Sequence, residues 1–263
     1  MKENNETFQN FKPFDYIQDA IITIKNTTDY TGTYHLLQKA IEEATLIKPQ
    51  SYIFNEETEK GIASFKKAMY DSGFPPHDYI DIRKMKEIGL HAEKHTLQET
   101  SALITEFVED FFTCEVIEEM ITDWRKMNWL SDRMPILKEA ILSHNDSRYY
   151  AAISTLLPQL EGIIAERCDG SDYISQKKIK ETAKTLLNET SILSFDEHIL
   201  LFYLSHVLSS FEHGKDIKYP LSRHAILHGA DKTYGYKVNS IRCIMLFDYI
   251  ITRINDYKHS NNR

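Results

Sequence analysis

Residues 97–127, LQETSALITEFVEDFFTCEVIEEMITDWRKM, contain no glycine and no proline. Ile104, Phe107, Val108, Phe111 and Ile117 recur at helical spacing along them, so one face is apolar and the others are polar or charged. The spacing predicts one long helix over Leu97–Met127. The rest of the chain follows the same period, which makes an all-α fold the expectation.

Upstream, Tyr16, Ala20, Ile21 and Ile24, and then Leu37, Ala40, Ile41 and Ala44, mark two amphipathic helices behind a polar tail. NEETEKGIASFKKAMYDSG, residues 55–73, predicts a third, with Ile62, Phe65 and Met69 inward and Gly73, Pro75 and Pro76 ending it. A further helix is expected near residues 77–95.

Downstream, NWLSDRMP at 128–135 interrupts the period and is the best candidate boundary. It divides an N-terminal helical region, residues 1–129, acting as sensor or support, from a C-terminal antiparallel helical bundle, residues 130–257, with a flexible tail at 258–263. The break is short enough for the halves to share a core. Leu130, Met134, Leu137 and Ile141 begin the second region, and a helix from near Asp146 to Cys168 continues it. Its inward stripe of Ile153, Leu157, Leu160 and Ile164 has Glu161 beside it, and a carboxylate on such a face needs a partner. Pro158 should kink this helix one turn ahead of Glu161.

SQKKIKETAKTLLNETS predicts a more exposed helix. Ser194 and Glu197 have capping-box spacing, with Leu200, Tyr203, Val207 and Phe211 as the stripe behind them and Gly214 as the C-cap. In YPLSRHAILHG, residues 219–229, Pro220 suits a first helical turn and Gly229 suits a left-handed stop, so a short capped helix is expected. A last helix runs from Lys237 to about Asn255.

Composition agrees with helix. Glycine (9) and proline (7) fall well below their usual shares of about 7% and about 5%. The N-terminus, MKENNETFQN, lacks the basic start and apolar run of a secretory signal, and no apolar stretch nears the roughly 18 residues of a spanning helix. A soluble, cytoplasmic protein with no membrane partner is expected. Cys114, Cys168 and Cys243 are few and far apart, which suits buried free thiols rather than a disulfide framework.

The net charge of −8 argues against charge-driven coating of nucleic acid. Between residues 212 and 242, however, six basic side chains (Lys215, Lys218, Arg223, Lys232, Lys237, Arg242) face three acidic ones (Glu212, Asp216, Asp231). Other candidates are weaker. His91 and His95 in HAEKH have the spacing of two zinc ligands but no visible third, and Glu115, Glu118 and Glu119 read as a solvated face. No metal site and no cofactor is expected. The motifs G-x-x-x-x-G-K-[ST], G-x-G-x-x-G and G-x-S-x-G are absent. The tyrosines of SRYYAAI and TYGY suit core or interface more often than base stacking.

Two segments match R-x4-6-H: Arg223 to His228, and Arg253 to His259 in the polar C-terminal end. With 9 arginines and 11 histidines about one match is expected by chance, so context separates them. The first lies in a framed turn within the basic segment. Its RHAILH resembles the Arg-x4-6-His signature of the HEPN superfamily of small all-helical domains. The upstream LLPQLEGI and the closing helix extend the resemblance over roughly residues 130–257.

That resemblance implies a homodimer in which two R-x4-H motifs face one cleft, and a metal-independent endoribonuclease or RNA-binding protein. It also implies a setting in bacterial abortive infection, phage defence or toxin systems, with a neutralising protein partner. The side chains suit the chemistry. Arginine offers a planar fork to a phosphorane, and histidine, titrating near neutrality, can take the 2′-hydroxyl proton or protonate the leaving 5′-oxygen. The expected product is a 2′,3′-cyclic phosphate. Arg223 would stabilise the transition state, His228 would be the acid or base, Glu161 would fix one of them, and His224 would contact RNA or support the loop.

Residues five apart on a helix point about 140° apart, whereas His224 and His228, four apart, share a face better. Those two histidines are therefore an alternative working pair. The alternative class of function is a non-catalytic helical interaction or scaffold protein, in which Arg223 and Glu161 form a structural ion pair.

Overall fold

A computed structural model of the chain describes residues 54–167 and 175–261, with side chains to Tyr257. The helices expected around 16–24 and 37–44, together with Cys168, lie outside the described residues. Among the described residues the secondary structure is helical, with no strand. All of them but Phe54 fall in one compact unit, Asn55–Arg263.

Helix α1, Glu56–Asp71, is capped by Asn55, whose side chain accepts from the Thr58 N–H at 2.9 Å, and it carries three acids in its first turn. Ile62, Phe65 and Met69 are wholly buried, as their spacing predicts. The chain leaves through Gly73 at φ +75°. Helix α2, Ile82–Ala92, is shorter than the expected 77–95, because Asp81 caps its start. It crosses α1 closely. A Cβ on Gly89 would lie 1.9 Å from the Gly61 carbonyl oxygen.

The predicted long helix over 97–127 is two helices, α3 (Leu97–Phe111) and α4 (Cys114–Lys126). Phe112 adopts ψ 66° and is buried, and Thr113 is extended, with its hydroxyl accepting from the Val116 N–H at 3.5 Å. A threonine cap replaces the glycine or proline that usually marks a break. Cys114 thereby becomes the first residue of α4 and is exposed, not buried; Cys243 is buried as expected.

NWLSDR forms a short 3-10 helix, Asn128–Arg133, and does not separate two cores. Trp124 before it packs on Phe247 after it, with ring centroids 5.1 Å apart, and its indole donates to Asp248 Oδ1 at 2.5 Å. The two sides share one apolar cluster, as so short a break allows.

Helix α5, Met134–Asn145, pairs with α6, Tyr149–Ala165, which continues through Pro158. Helix α7, Gln176–Leu186, buries Ile179, Ala183 and Leu186 and exposes most of the rest. Helix α8 covers only Asp196–Phe202, followed by one π-helical turn, Tyr203–Val207, in which the Leu208 N–H bonds back to the Tyr203 carbonyl at 2.9 Å. The expected capping box does not form. Ser194 Oγ accepts instead from the Asp196 N–H at 3.2 Å, and Glu197 stays exposed. The helix expected to reach Phe211 ends at Leu208, so Phe211, His213 and Gly214 belong to a loop.

Helix α9, Arg223–Leu227, follows that loop. Helix α10, Lys237–Asn261, packs on α6, α3 and α7 and runs past the expected end at Asn255. No helix among the described residues is long and apolar enough to cross a membrane.

Candidate active site

Helix α9 is short, and its ends are fixed by side chains. Ser222 is its N-cap, with Oγ accepting from the Ala225 N–H at 3.4 Å and donating to the Ser209 carbonyl at 3.2 Å. Pro220 lies in the turn before this cap, not in the first helical turn as the sequence suggests. At the other end Gly229 takes φ +68°, and the N–H groups of Ala230 and Asp231 both return to the Ala225 carbonyl. Ala225 and Ile226 are buried. The core therefore sets the rotation of α9, leaving Arg223 and His224 half-buried and His228 exposed.

Arg223 meets the partner that Glu161 needs. Its Nε lies 2.6 Å from Glu161 Oε2, each side chain is 21% exposed, and the Nε–H is not aligned on the carboxylate. The contact is one of charge more than of a directed hydrogen bond. It joins α9 to α6.

His224 and His228 stand on a different face, with rings parallel to within 6° and centroids 6.1 Å apart. From α7, the Gln176 side-chain amide nitrogen approaches His224 Nε2 at 2.7 Å. As placed, the amide N–H donates into the Nε2 lone pair and leaves the imidazole proton on Nδ1. Partial burial, followed by the neighbouring Arg223 charge, holds the His224 pKa below the usual histidine range. His224 is therefore neutral near pH 7.

Both histidines line an open cleft of about 500 Å³, together with Gln176, Lys180, Phe211 and His213. Phe211 bridges the histidines, with its ring 4.9 Å from that of His213 and 6.1 Å from that of His228. Arg223 is not among the lining residues. Within one chain, then, the predicted Arg223–His228 pair is split between two faces, and His224 and His228 share one, which the 140° separation anticipates. His213, Lys180 and Gln176 join the site without having been anticipated. His213 was read as helical, and its place depends on the early end of the π-helical turn.

The weaker candidates resolve as ordinary structure. His91 and His95 stack at 3.8 Å, with His95 Nδ1 2.9 Å from the His91 carbonyl. Glu115 and Glu118 are exposed on α4, where Glu118 accepts from Asn145 at 3.3 Å, whereas Glu119, expected on the same solvated face, is half-buried, with Oε2 shielded and without a hydrogen bond among the described residues. Arg253 of the second motif is held by Asp196 and Glu189, and the His259 side chain lies outside those described. Tyr150 and Tyr234 meet edge to face at 4.9 Å, and the Tyr150 hydroxyl donates to the Lys232 carbonyl at 3.1 Å.

A buried polar group escaped the sequence reading. His77 is wholly buried, with Nε2 3.1 Å from Asp248 Oδ2 and Nδ1 3.3 Å from Asp78 Oδ1. These three are the group among the described residues whose ligand atoms could hold a metal ion. His77 Nδ1 already accepts from the Tyr79 N–H at 3.2 Å, and Asp248 accepts from Trp124, so the group reads as an interior network. Burial opposes charge on His77, yet the Asp248 hydrogen bond and the Asp78 charge outweigh it and raise the pKa.

Comparison with family models, curated proteins and solved structures finds no match to this chain.

Proposed function

We propose that the protein is a metal-independent endoribonuclease of the HEPN type, acting on cytoplasmic RNA. One observation carries the reading: two parallel imidazoles, His224 and His228, share an open cleft with Lys180, and among the described residues no carboxylate lines it. A site rich in imidazole and ammonium groups suits a phosphodiester.

In the reaction, His224, neutral near pH 7, accepts the 2′-hydroxyl proton through one water or after displacing Gln176. The 2′-oxygen then attacks phosphorus. The P–O5′ bond breaks as His228 protonates the leaving 5′-oxygen. The products are a 2′,3′-cyclic phosphate and a 5′-hydroxyl, with protons and electron pairs balanced. Lys180 offsets charge on the phosphorane oxygens. Glu161 engages Arg223 through Nε, which leaves the two Nη groups for a phosphate held against a second copy of the chain. Leu227, 41% exposed and next to His228, offers apolar area for that homodimer.

The test is purified protein with mixed RNA in EDTA, comparing wild type with His224→Ala, His228→Ala and Arg223→Ala and scoring cyclic-phosphate ends. RNA left intact by wild type, or cut equally by all variants, refutes the reading. The resemblance adds a role in phage defence or a toxin system, with a neutralising protein; growth arrest on expression, relieved by His228→Ala, tests it. A strict monomer that still cuts RNA removes the composite dimer site.

The Arg223–Glu161 contact at 2.6 Å favours a second reading, a scaffold in which the pair only ties α9 to α6. That reading predicts no RNA cleavage.

A further inference from the structure

The loop from Leu208 to Ser222, between the π-helical turn and α9, encloses a second pocket of about 180 Å³. Ser210 and Phe211 line this pocket and the histidine cleft alike, so the two cavities share a wall. The loop is tied at both ends. Ser209 Oγ donates to the His206 carbonyl at 3.0 Å, Ser222 Oγ donates to the Ser209 carbonyl, and the Tyr219 ring packs 4.4 Å from that of His206. A pocket held in this way is formed before any ligand arrives.

The cavities differ in charge. The larger presents Lys180 and three histidines, with no carboxylate among the described residues, which suits an anion. The smaller has Lys215 and Lys218 balanced by Glu212 and Asp216, with Ile217, Phe211 and Tyr219 supplying apolar and aromatic surface. A balanced, partly aromatic pocket suits a neutral, flat and polar-edged group. Its volume of about 180 Å³ accommodates one heterocyclic base.

We propose that this smaller pocket is a nucleobase subsite. A nucleotide whose phosphate lies on His224 and His228 inserts its base between Phe211, Ile217 and Tyr219. The ribose then crosses the shared wall beside the exposed Ser210 hydroxyl, and the Glu212–Lys215 pair at the rim supplies an acceptor and a donor for the base edge. Base stacking on aromatic rings is sequence-tolerant, so preference among bases comes from that rim. The inference rests on the ribonuclease reading of the neighbouring cleft.

The test measures binding to the full chain in EDTA by calorimetry, with inorganic phosphate and each of the four nucleoside 3′-monophosphates as probes. At least one nucleotide should bind tenfold or more tighter than phosphate. Ile217→Trp, which fills the pocket from a half-exposed position, should erase that advantage and leave phosphate affinity unchanged. Tyr219→Ala should erase it as well, with circular dichroism confirming the fold. His228→Ala should weaken phosphate and nucleotide together. Nucleotides binding no tighter than phosphate, or an advantage that survives Ile217→Trp, overturn the subsite; RNA cleavage that persists then leaves the ribonuclease reading standing. No phosphate binding and no cleavage overturn both.

Discussion

Replacing Glu161 by Gln removes the charge facing Arg223 and nearly conserves volume, so the pair can be measured by a double-mutant cycle with Arg223→Ala. Two unit charges 2.6 Å apart attract by about 6 kcal/mol at an effective dielectric of ~20. Desolvation of both groups offsets most of that. Exposed pairs contribute about 0–1 kcal/mol, and breaking a fully buried one costs about 3–5. At 21% exposure on each side, and with the Nε–H off the line of the carboxylate, the expected coupling is about 2 kcal/mol. With a urea slope of ~3 kcal/mol/M, Glu161→Gln should lower the unfolding midpoint by ~0.7 M, and the double variant should be little worse than either single one. A coupling energy below ~0.5 kcal/mol would refute the claim that Glu161 sets the position of Arg223. RNA cleavage separates the two functions: a positioning role predicts a ten- to hundredfold loss for Glu161→Gln with the fold intact, and a scaffold role predicts no cleavage in any variant.

Burial holds His144 and His206 near a pKa of about 4, aided by the Lys237 and Arg242 charges respectively. Both folded values lie below the ordinary 6.5, so the stability these neutral rings contribute is present above pH 6.5 and is lost as pH falls from there through 4. Thermal melts should show that acid loss, and an unchanged slope in the His144→Asn, His206→Asn double variant would count against it. His224 is also lowered, so if it is the base, the acid limb of the kcat/KM profile should lie below pH 6.5 and move upward in Arg223→Ala. Gly89→Ala would drive a methyl group to 1.9 Å from the Gly61 carbonyl oxygen, so α1 and α2 must separate. A cost of about 3 kcal/mol is expected, lowering the melting temperature by roughly 10 °C; an unchanged melt would show that the crossing is looser.

Local signals were legible where local physics decides. Asn55 with its following acids, and the Ile62, Phe65, Met69 stripe, define α1 without help from the rest of the chain. The need of Glu161 for a cation was readable from its position beside an apolar stripe, and Arg223 supplies that cation. The break at Phe112 and Thr113 was not readable, because threonine is tolerated inside a helix and also caps one. Only burial of Phe112 selects the cap. The start of α8 depends on a distant partner too, since Asp196, wholly buried, accepts from Tyr249 on α10 at 2.9 Å, and the end after Tyr203–Val207 has no glycine or proline to mark it, so the stripe reads on to Phe211. That misreading hid His213, which lines the cleft only because its segment is a loop. His77 gave no pattern of its own, although Asp248 inside CIMLFDYII signalled a buried acid in search of a partner.

The Trp124 indole and the His77 ring, both from the chain before the short 3-10 segment, end on one carboxylate after it, that of Asp248. A fragment starting at Leu130 would retain the arginine, the histidines and the loop, yet it would leave Asp248 without its Trp124 donor and the neighbouring His77 ring, and Phe247 without the Trp124 ring. Excising the C-terminal half as a free-standing effector is thus self-defeating: a cut through that short break is also a cut through a buried polar contact of the unit. Regulation by detaching one half from the other would have to break that contact each time.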